Sequence, residues 1–355
     1  MCVRQYLHLA SRGGNWTGGS PQVLFPRIEK TQPCEWEFDT REPPKIVIFE
    51  GFDYARFLLI PNEDNPKRCI LEYRILEKQT ISPTLTRYRI HAPFVARKAQ
   101  PGNFVIIRVN DSGERIPLTI CESDPASGTV VLIVQAIGKT TKLMATLCAG
   151  GSLADVVGPL GKPTEIVSDQ SVACIGGGVG TAELYPIAKA LYKAGNRLST
   201  IIGARTKELI ILREEMAALS HELIITTDDG SAGRTGLVTD ALRNLLGGSS
   251  DISTVYAIGP LPMMKAVAEL TRGFGTKTFV SLNAVMVDGT GMCGGCRVTI
   301  GGTMKFACVD GPEFDAHQVD FDEIMLRNRT YREMELLSDG LFERGQACAA
   351  QEATS

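Results

Sequence analysis

Three cysteines crowd into a short stretch of the chain. In VDGTGMCGGCRVTIGGTMKFACVDG, Cys293 and Cys296 are separated by two residues and Cys308 follows after eleven more. Thiolates spaced this way, on a tight loop and a returning hairpin, can converge on a metal. Asp288 stands five residues before Cys293, where the plant-type iron-sulfur pattern C-x4-C-x2-C…C puts its first cysteine. Gly289, Gly291, Gly294 and Gly295 let the backbone approach inorganic sulfide closely. The spacing points to a [2Fe-2S] cluster held by Asp288, Cys293, Cys296 and Cys308. Three other chemistries fit parts of the pattern. A Cys-x-x-Cys redox dithiol opens a helix after a strand and leaves Cys308 unused. Structural zinc accepts three cysteines and a carboxylate. Asp288 as a plain turn residue leaves the fourth ligand to some other group.

A second constellation is CIGGGVGTAELYPIAKAL, where an apolar strand runs into Gly176, Gly177, Gly178, Val179, Gly180 and Thr181 and then a helix. Such a turn aims free backbone N–H groups at a pyrophosphate, although close strand-to-helix packing alone would also ask for glycine. Roughly twenty residues on, where NAD sites carry an acidic ribose ligand, LSTIIGAR ends in Gly203 and Arg205. An arginine there suits a 2′-phosphate, so NAD(H) and NADP(H) both stay open. Asp228, Gly230, Gly259 and Pro260 follow later apolar runs, at the strand ends where open α/β sheets bind ligands. A third stretch, ERIPLTI, puts Arg115 before Pro117, Leu118 and Thr119. That is a guanidinium for a phosphate and a stiff backbone for an aromatic ring system, or an ordinary strand. Gly138, Lys139, Thr140 and Thr141 imitate a P-loop, but G-x4-G-K-[ST] requires glycine at position 133, which is Ile133; nucleotide hydrolysis of that kind is excluded.

The elements that must hold these residues show in the apolar patterning. Between residues 70 and 166 short β-rich runs alternate with turn residues: ILEYRILEKQ, LTRYRIHA, NFVIIRVN, TVVLIVQAI and SLADVVGPLG. This spacing predicts a small antiparallel barrel. From Ser171 the pattern becomes VACIGGG, a helix over 184–193, LSTIIGAR, a helix over 207–219, ELIITTDDG, a helix over 238–246, TVYAIG, a helix over 263–272 and KTFVSL. Regular alternation of strand and helix predicts a parallel sheet covered on both faces. The glycine- and cysteine-rich region follows, and a polar tail with one helix over 320–337 closes the chain. Residues 1–68 mix glycine pairs and prolines, with one candidate strand at 46–49 and no sustained period. Their Asn15-Trp16-Thr17 triplet is a glycosylation acceptor only in a secreted protein.

A chain of 355 residues, 44% of them hydrophobic, exceeds what one core usually supports, so two or three domains are expected. Lys plus Arg at 37 against Asp plus Glu at 40 leaves a net charge of -3, no footprint for a polyanion, and nucleic acid is disfavoured as a partner. No apolar run approaches the roughly 18–20 residues that cross a bilayer. The start MCVRQYLHLASRGG shows no apolar segment before a cleavage site, so no membrane association and a cytoplasmic location are expected. Cys2, Cys34, Cys69, Cys121, Cys148, Cys174 and Cys348 stand alone and are expected as reduced thiols.

The order of barrel, glycine-rich α/β region and cysteine loop resembles the ferredoxin-NADP reductase superfamily, in its iron-sulfur flavoprotein branch. Residues 70–337 are similar to the small subunits of NADH-dependent ferredoxin:NADP oxidoreductases, also called sulfide dehydrogenases, with dihydroorotate dehydrogenase electron-transfer subunits as close relatives. The resemblance implies FAD at Arg115, Pro117, Leu118 and Thr119, with Gly138 and Thr141 at its pyrophosphate. It implies NAD(H) or NADP(H) at Gly176, Gly177, Gly178, Gly180 and Thr181. The dihydroorotate branch uses four cysteines, the first inside M-x-C-G-x-G-x-C; here Asp288 takes that place, which favours the ferredoxin:NADP branch, where one aspartate and three cysteines are the pattern. The implied partners are a large iron-sulfur flavoprotein subunit resembling the glutamate synthase small subunit, and ferredoxin.

The expected fold class is therefore β-barrel plus α/β. An unassigned extension over 1–68 precedes an antiparallel FAD-binding barrel over 69–167 and a parallel-sheet NAD(P)-binding domain over 168–282. A small [2Fe-2S] domain over 283–319 and a C-terminal helix with a polar tail over 320–355 complete the chain. A nicotinamide delivers electrons in pairs and a cluster takes them singly; flavin does both, and no catalytic acid, base or nucleophile is required. The rivals are a dihydroorotate dehydrogenase electron-transfer subunit, whose large partner is a barrel enzyme with FMN, and a non-catalytic zinc-stabilised adaptor that keeps a nucleotide fold for binding.

Overall fold

Tyr73–Ser82 (β1) and Leu85–His91 (β2) form a long antiparallel ribbon in which Tyr88 and Ile90 point into the core while Arg87 and Arg89 point outward, the two-residue period of a half-buried strand. The computed structural model describes residues 72–248 and 251–352, all within one unit. The candidate strand at 46–49, the Asn15 triplet, and Cys2, Cys34 and Cys69 lie outside the described residues.

Six more strands complete the antiparallel part: Phe104–Arg108 (β3), Arg115–Thr119 (β4), Glu122–Asp124 (β5), Thr129–Gln135 (β6), Ser152–Leu153 (β7) and Asp155–Leu160 (β8). They make a sheet in the order β5-β6-β2-β1-β7 and a second in the order β4-β3-β8. One apolar core that includes Ile75, Tyr88, Val105, Ile107, Leu132 and Val156 joins the two. The helices Pro93–Lys98 (α1) and Lys139–Thr146 (α2) accompany them, and the Tyr88 hydroxyl donates to the Met144 carbonyl at 3.1 Å.

Ser171–Gly177 (β9), Arg197–Ala204 (β10), Glu222–Thr227 (β11), Arg234–Thr235 (β12), Thr254–Ile258 (β13) and Lys277–Ser281 (β14) build a parallel sheet in the order β12-β11-β10-β9-β13-β14. Its helices are Gly180–Lys193 (α3), Arg213–Leu219 (α4), Val238–Gly247 (α5) and Leu261–Phe274 (α6). Within β9, Val172 and Cys174 enter one core while Ala173 and Ile175 enter the other, which is why the strand reads as an unbroken apolar run. The chain passes from β9 to β10 on one side and returns to β13 on the other. The crevice at the end of β9 is thus a topological switch point, where open α/β sheets bind ligands.

The cysteine region contributes the hairpin Arg297–Ile300 (β15) and Thr303–Phe306 (β16), a short helix Ala307–Asp310 (α7), and the strand Glu313–Asp315 (β17). β17 pairs antiparallel with β14 and so extends the parallel sheet; the region is stitched into its neighbour rather than hung beside it. Phe321–Asn328 (α8) and Arg332–Glu352 (α9) close the chain.

Three helices differ from expectation. The one expected over 184–193 begins at Gly180, because the glycine turn itself supplies its first residue. The one expected over 207–219 is a 3-10 turn, Lys207–Leu209, followed by α4, with the left-handed Leu212 (φ 55°) between them and buried Ile211 anchoring the break. The single helix expected over 320–337 is two, α8 and α9. The Asn328 side chain donates to the Asn283 carbonyl at 2.8 Å and ties down the end of the first. Cys121, Cys148 and Cys174 are free thiols, and no helix among the described residues is long and apolar enough to cross a membrane.

Candidate functional site

The end of β9 opens on a cleft of about 640 Å³ lined by Gly177, Gly178, Gly180, Arg205, Asp228, Gly259 and Pro260, seven of the residues singled out from the sequence. Gly178 has φ 56°, and a Cβ there would meet nothing within 4 Å, so it faces open space. A Cβ on Gly180 would stand 2.5 Å from the Ile258 carbonyl oxygen and 2.8 Å from the Gly259 Cα, so α3 starts hard against the end of β13. The turn therefore presents backbone amides at a helix N-terminus to a glycine-walled space, a cradle that suits a dinucleotide pyrophosphate. Gly176 and Thr181 lie beneath this surface rather than in it: Thr181 is fully buried, and its hydroxyl has no hydrogen-bond partner. Arg205 makes no ion pair among the described residues. Gly230 (φ 73°) packs against Thr235 and does not line the cleft.

A second cavity of about 260 Å³ lies between β4, β6 and the start of the cysteine region, and Ile116, Pro117, Leu118, Thr119, Thr141, Met286 and Pro312 line it. It shares Gln135, Val179, Glu183, Ser281 and Asn283 with the larger cleft, so the two are continuous. The cavity runs from the β4 backbone to the α3 N-terminus. Arg115 stays outside this lining; its guanidinium is 3.8 Å from the Asp155 carboxylate, which Arg108 holds at 2.6 Å. Gly138 is the N-cap of α2, and the Thr141 hydroxyl accepts from the Ile137 and Gly138 amides, each at 3.1 Å. Lys139 and Thr140 both turn to Glu114, at 3.2 and 2.9 Å, so the P-loop look-alike spends its lysine on a carboxylate.

Sequence reasoning missed Glu183, Gln135, Ser281 and Asn283. Burial pushes the Glu183 carboxyl up to about 7, against a hydrogen bond from Thr119 that favours the ionised form. An acid in the first turn of the helix behind a glycine-rich loop was the available signal.

On the cysteine loop, one Asp288 oxygen accepts from the amide and the hydroxyl of Thr290, and the other from the Cys293 amide at 3.2 Å. These bonds hold the carboxyl below its usual range, the Thr290 hydroxyl most of all. The exposed Cys293 sulfur accepts from the Gly295 amide at 3.5 Å. Cys296 and Cys308 are buried with their sulfurs 3.1 Å apart; burial and the neighbouring Cys296 raise the Cys308 thiol pKa. Among the described residues no three His, Cys, Asp or Glu side chains converge on one point. The four groups instead form two pairs, Asp288 with Cys293 and Cys296 with Cys308. A two-iron rhomb asks for two donors on each iron, whereas a single tetrahedral zinc asks for four on one centre. Gly289 (φ 78°) presses the loop onto the barrel, where a Cβ would come within 2.6 Å of Leu160 and 2.8 Å of Ile106. From the other side Arg327 donates to the Gly295 carbonyl at 3.2 Å.

Two regions of the chain match known domain families. Residues 283–320 match the iron-sulfur cluster binding domain of dihydroorotate dehydrogenase B, and residues 174–269 match an oxidoreductase NAD-binding domain. A Thermotoga maritima protein described as a homologue of the dihydroorotate dehydrogenase B (NAD(+)) electron transfer subunit is 48% identical over 264 residues, 74% of this chain and 93% of that protein. The Geobacillus kaustophilus electron transfer subunit of dihydroorotate dehydrogenase B (NAD(+)) is 35% identical over 262 residues, 71% of this chain and 97% of its own. A solved chain from an NADH-dependent reduced ferredoxin-NADP oxidoreductase, studied for flavin-based electron bifurcation, is 47% identical with a TM-score of 0.72, covering 76% of this chain and 97% of that one. The chain thus belongs to the family of dihydroorotate dehydrogenase B electron transfer subunits and their homologues, and is an electron-transfer subunit of an oxidoreductase.

Proposed function

We propose that the chain takes electrons from a reduced nicotinamide nucleotide in the 640 Å³ cleft and delivers them, one at a time, to a partner subunit from a [2Fe-2S] cluster on the cysteine loop, with FAD in the 260 Å³ cavity between. Bound FAD would supply two-electron hydride acceptance and one-electron release, and a bound cluster one-electron transfer. The observation that carries the reading is continuity. The two cavities share five lining residues, and Met286 in the wall of the smaller one stands two residues before Asp288.

In this reading residues 69–167 hold FAD, 168–282 hold the nucleotide and 283–319 hold the cluster. The backbone of Pro117, Leu118 and Thr119 positions the flavin ring, and Gly138, Thr141 and Arg115 serve its phosphates. Gly176 and Thr181 support the turn from below while Gly177, Gly178 and Gly180 meet the nucleotide. Asp288, Cys293, Cys296 and Cys308 would hold the cluster, and their grouping into two pairs favours this over the zinc-stabilised adaptor. The partner is a larger subunit, and Asp288 in place of a fourth cysteine favours an iron-sulfur flavoprotein resembling the glutamate synthase small subunit, with ferredoxin beyond it, over the dihydroorotate barrel enzyme. The free thiols and the absence of a spanning helix among the described residues support a cytoplasmic location.

The test is a visible spectrum of the anaerobically purified chain before and after NADH or NADPH, with iron, sulfide and flavin assays. Flavin and cluster bands that bleach on reduction are expected, and the nucleotide that bleaches them at lower concentration is the physiological one. A chain that stays colourless after reconstitution with iron, sulfide and FAD ends the reading. Asp288→Cys is expected to retain the cluster with an altered spectrum and potential, because a thiolate is a more covalent ligand than a carboxylate. An unchanged redox titration removes Asp288 from the ligand set.

A further inference from the structure

Among the described residues, Glu183 is the one ionisable group that lines both cavities. It sits in the first turn of α3, three residues after Gly180, at the seam where the nucleotide cleft becomes the flavin cavity. Thr119 on β4 hydrogen-bonds it, and Gln135 at the end of β6, Ser281 at the end of β14 and Asn283 just beyond line the same seam, none of them charged. The charged residues of the cleft, Arg205 and Asp228, follow β10 and β11, across β9 from β14. Glu183 therefore sits among apolar and neutral groups with a hydroxyl as its polar partner.

The site's location gives that carboxyl a task. Resting on the functional reading above, the nicotinamide end of the nucleotide must lie at this seam, because only there does the cleft open onto the flavin cavity. A nicotinamide ring that has given up its hydride carries a positive charge, whereas the reduced ring is neutral. We propose that Glu183 is the residue by which the site distinguishes the two redox states of the nucleotide, its carboxylate favouring the cationic ring and its protonated form showing no such preference.

The carboxyl is poised to act as such a discriminator near neutrality, because burial holds it at about 7. The sign follows from linkage. Above that value the group is ionised and the oxidised nucleotide gains affinity relative to the reduced one; below it the group is neutral and the advantage disappears. Reciprocally, bound oxidised nucleotide pulls the Glu183 pKa down.

The experiment measures dissociation constants on the full chain, with its flavin and cluster in place, for NAD+ and for its tetrahydro analogue, which has a neutral ring and no transferable hydride. The ratio Kd(NAD+)/Kd(analogue) is expected to fall about fivefold as pH rises from about 6 to about 8, part of the full tenfold span that one pKa unit displaced by the ligand produces. Glu183→Gln is expected to flatten the ratio at all pH values, and Glu183→Asp to restore a pH dependence with a displaced midpoint. A wild-type ratio independent of pH, or a pH dependence that survives in Glu183→Gln, overturns the assignment while leaving the functional reading standing. If the glutamine variant does not fold, Glu183→Asp decides the matter: a displaced midpoint supports the assignment and a midpoint unchanged from wild type overturns it. If neither nucleotide binds at any pH, the functional reading fails and the inference fails with it.

Discussion

Cys308→Ala is expected to strip the cluster from the protein while sparing the flavin. Iron and acid-labile sulfide in the purified variant should fall to background, and the transfer of electrons to one-electron acceptors should drop by more than the roughly 10–100-fold that loss of a mere outer-shell partner costs a metal site. The geometry explains the severity. Cys308 pairs with Cys296 at 3.1 Å inside a buried corner where α7 meets β15, so no surface thiol can substitute without moving backbone. The Cys308 amide also donates to the Cys296 sulfur and the Ala307 amide to the Cys296 carbonyl, which keeps the corner folded when the side chain is cut to alanine. The corner should therefore stay folded apart from the stability the cluster itself supplied, and bleaching of the flavin by reduced nucleotide should persist. Cys174→Ala is the matched control. Cys174 is also fully buried, but it belongs to the core beneath α3, and burial alone pushes its thiol up to about 12. Its loss should leave iron, sulfide and flavin untouched. Retention of iron in Cys308→Ala, or its loss in Cys174→Ala, places the cluster elsewhere.

The two cysteines also show what was legible in the sequence. Spacing alone located the loop, because thiolates two and eleven residues apart and glycines between them are tied to the reach of a hairpin. The apolar run through Cys174 announced a strand covered on both faces, because Val172 to Ile175 had to satisfy two cores at once. What could not be read was the seam. Glu183, Ser281 and Asn283 come from the far ends of an α/β segment, and Gln135 from the barrel; each is unremarkable in its local sequence and acquires meaning only when β14 and β6 are brought together. The helix breaks were hidden for a similar reason. Nothing near Asn328 marks a stop, since the bond that fixes it reaches back to Asn283. Likewise β17 is three residues long and is a strand because β14 offers it a free edge. Pairing at that range is a tertiary fact with no local period.

Gly180→Val and Gly178→Ala are both expected to damage nucleotide binding, the first by displacing α3 and the second by straining and crowding the turn. At position 180 any side chain meets backbone: the Ile258 carbonyl oxygen at 2.5 Å and the Gly259 Cα at 2.8 Å. Those atoms end β13, whose residues Val255 to Ile258 are buried at the centre of the sheet, so they cannot retreat, and α3 must lift instead. Overpacking of that kind costs about 1–3 kcal/mol and moves the amides that would hold a pyrophosphate, which should raise the dissociation constant for nicotinamide nucleotide about a hundredfold or more. At position 178 the constraint is the left-handed backbone, φ 56°, with nothing within 4 Å of the added methyl. Alanine there pays about 1–2 kcal/mol of local strain but leaves α3 seated, while its methyl projects into the space the nucleotide must approach. Both variants should therefore melt below the parent, Gly180→Val by at least as much because α3 itself is displaced. The iron content of both and the flavin content of Gly178→Ala should match the parent, whereas Gly180→Val, which moves Val179 and Glu183 in the wall of the flavin cavity, should also loosen flavin. Nucleotide affinity unchanged in both variants would remove the 176–181 turn from the binding site, whatever happens to stability.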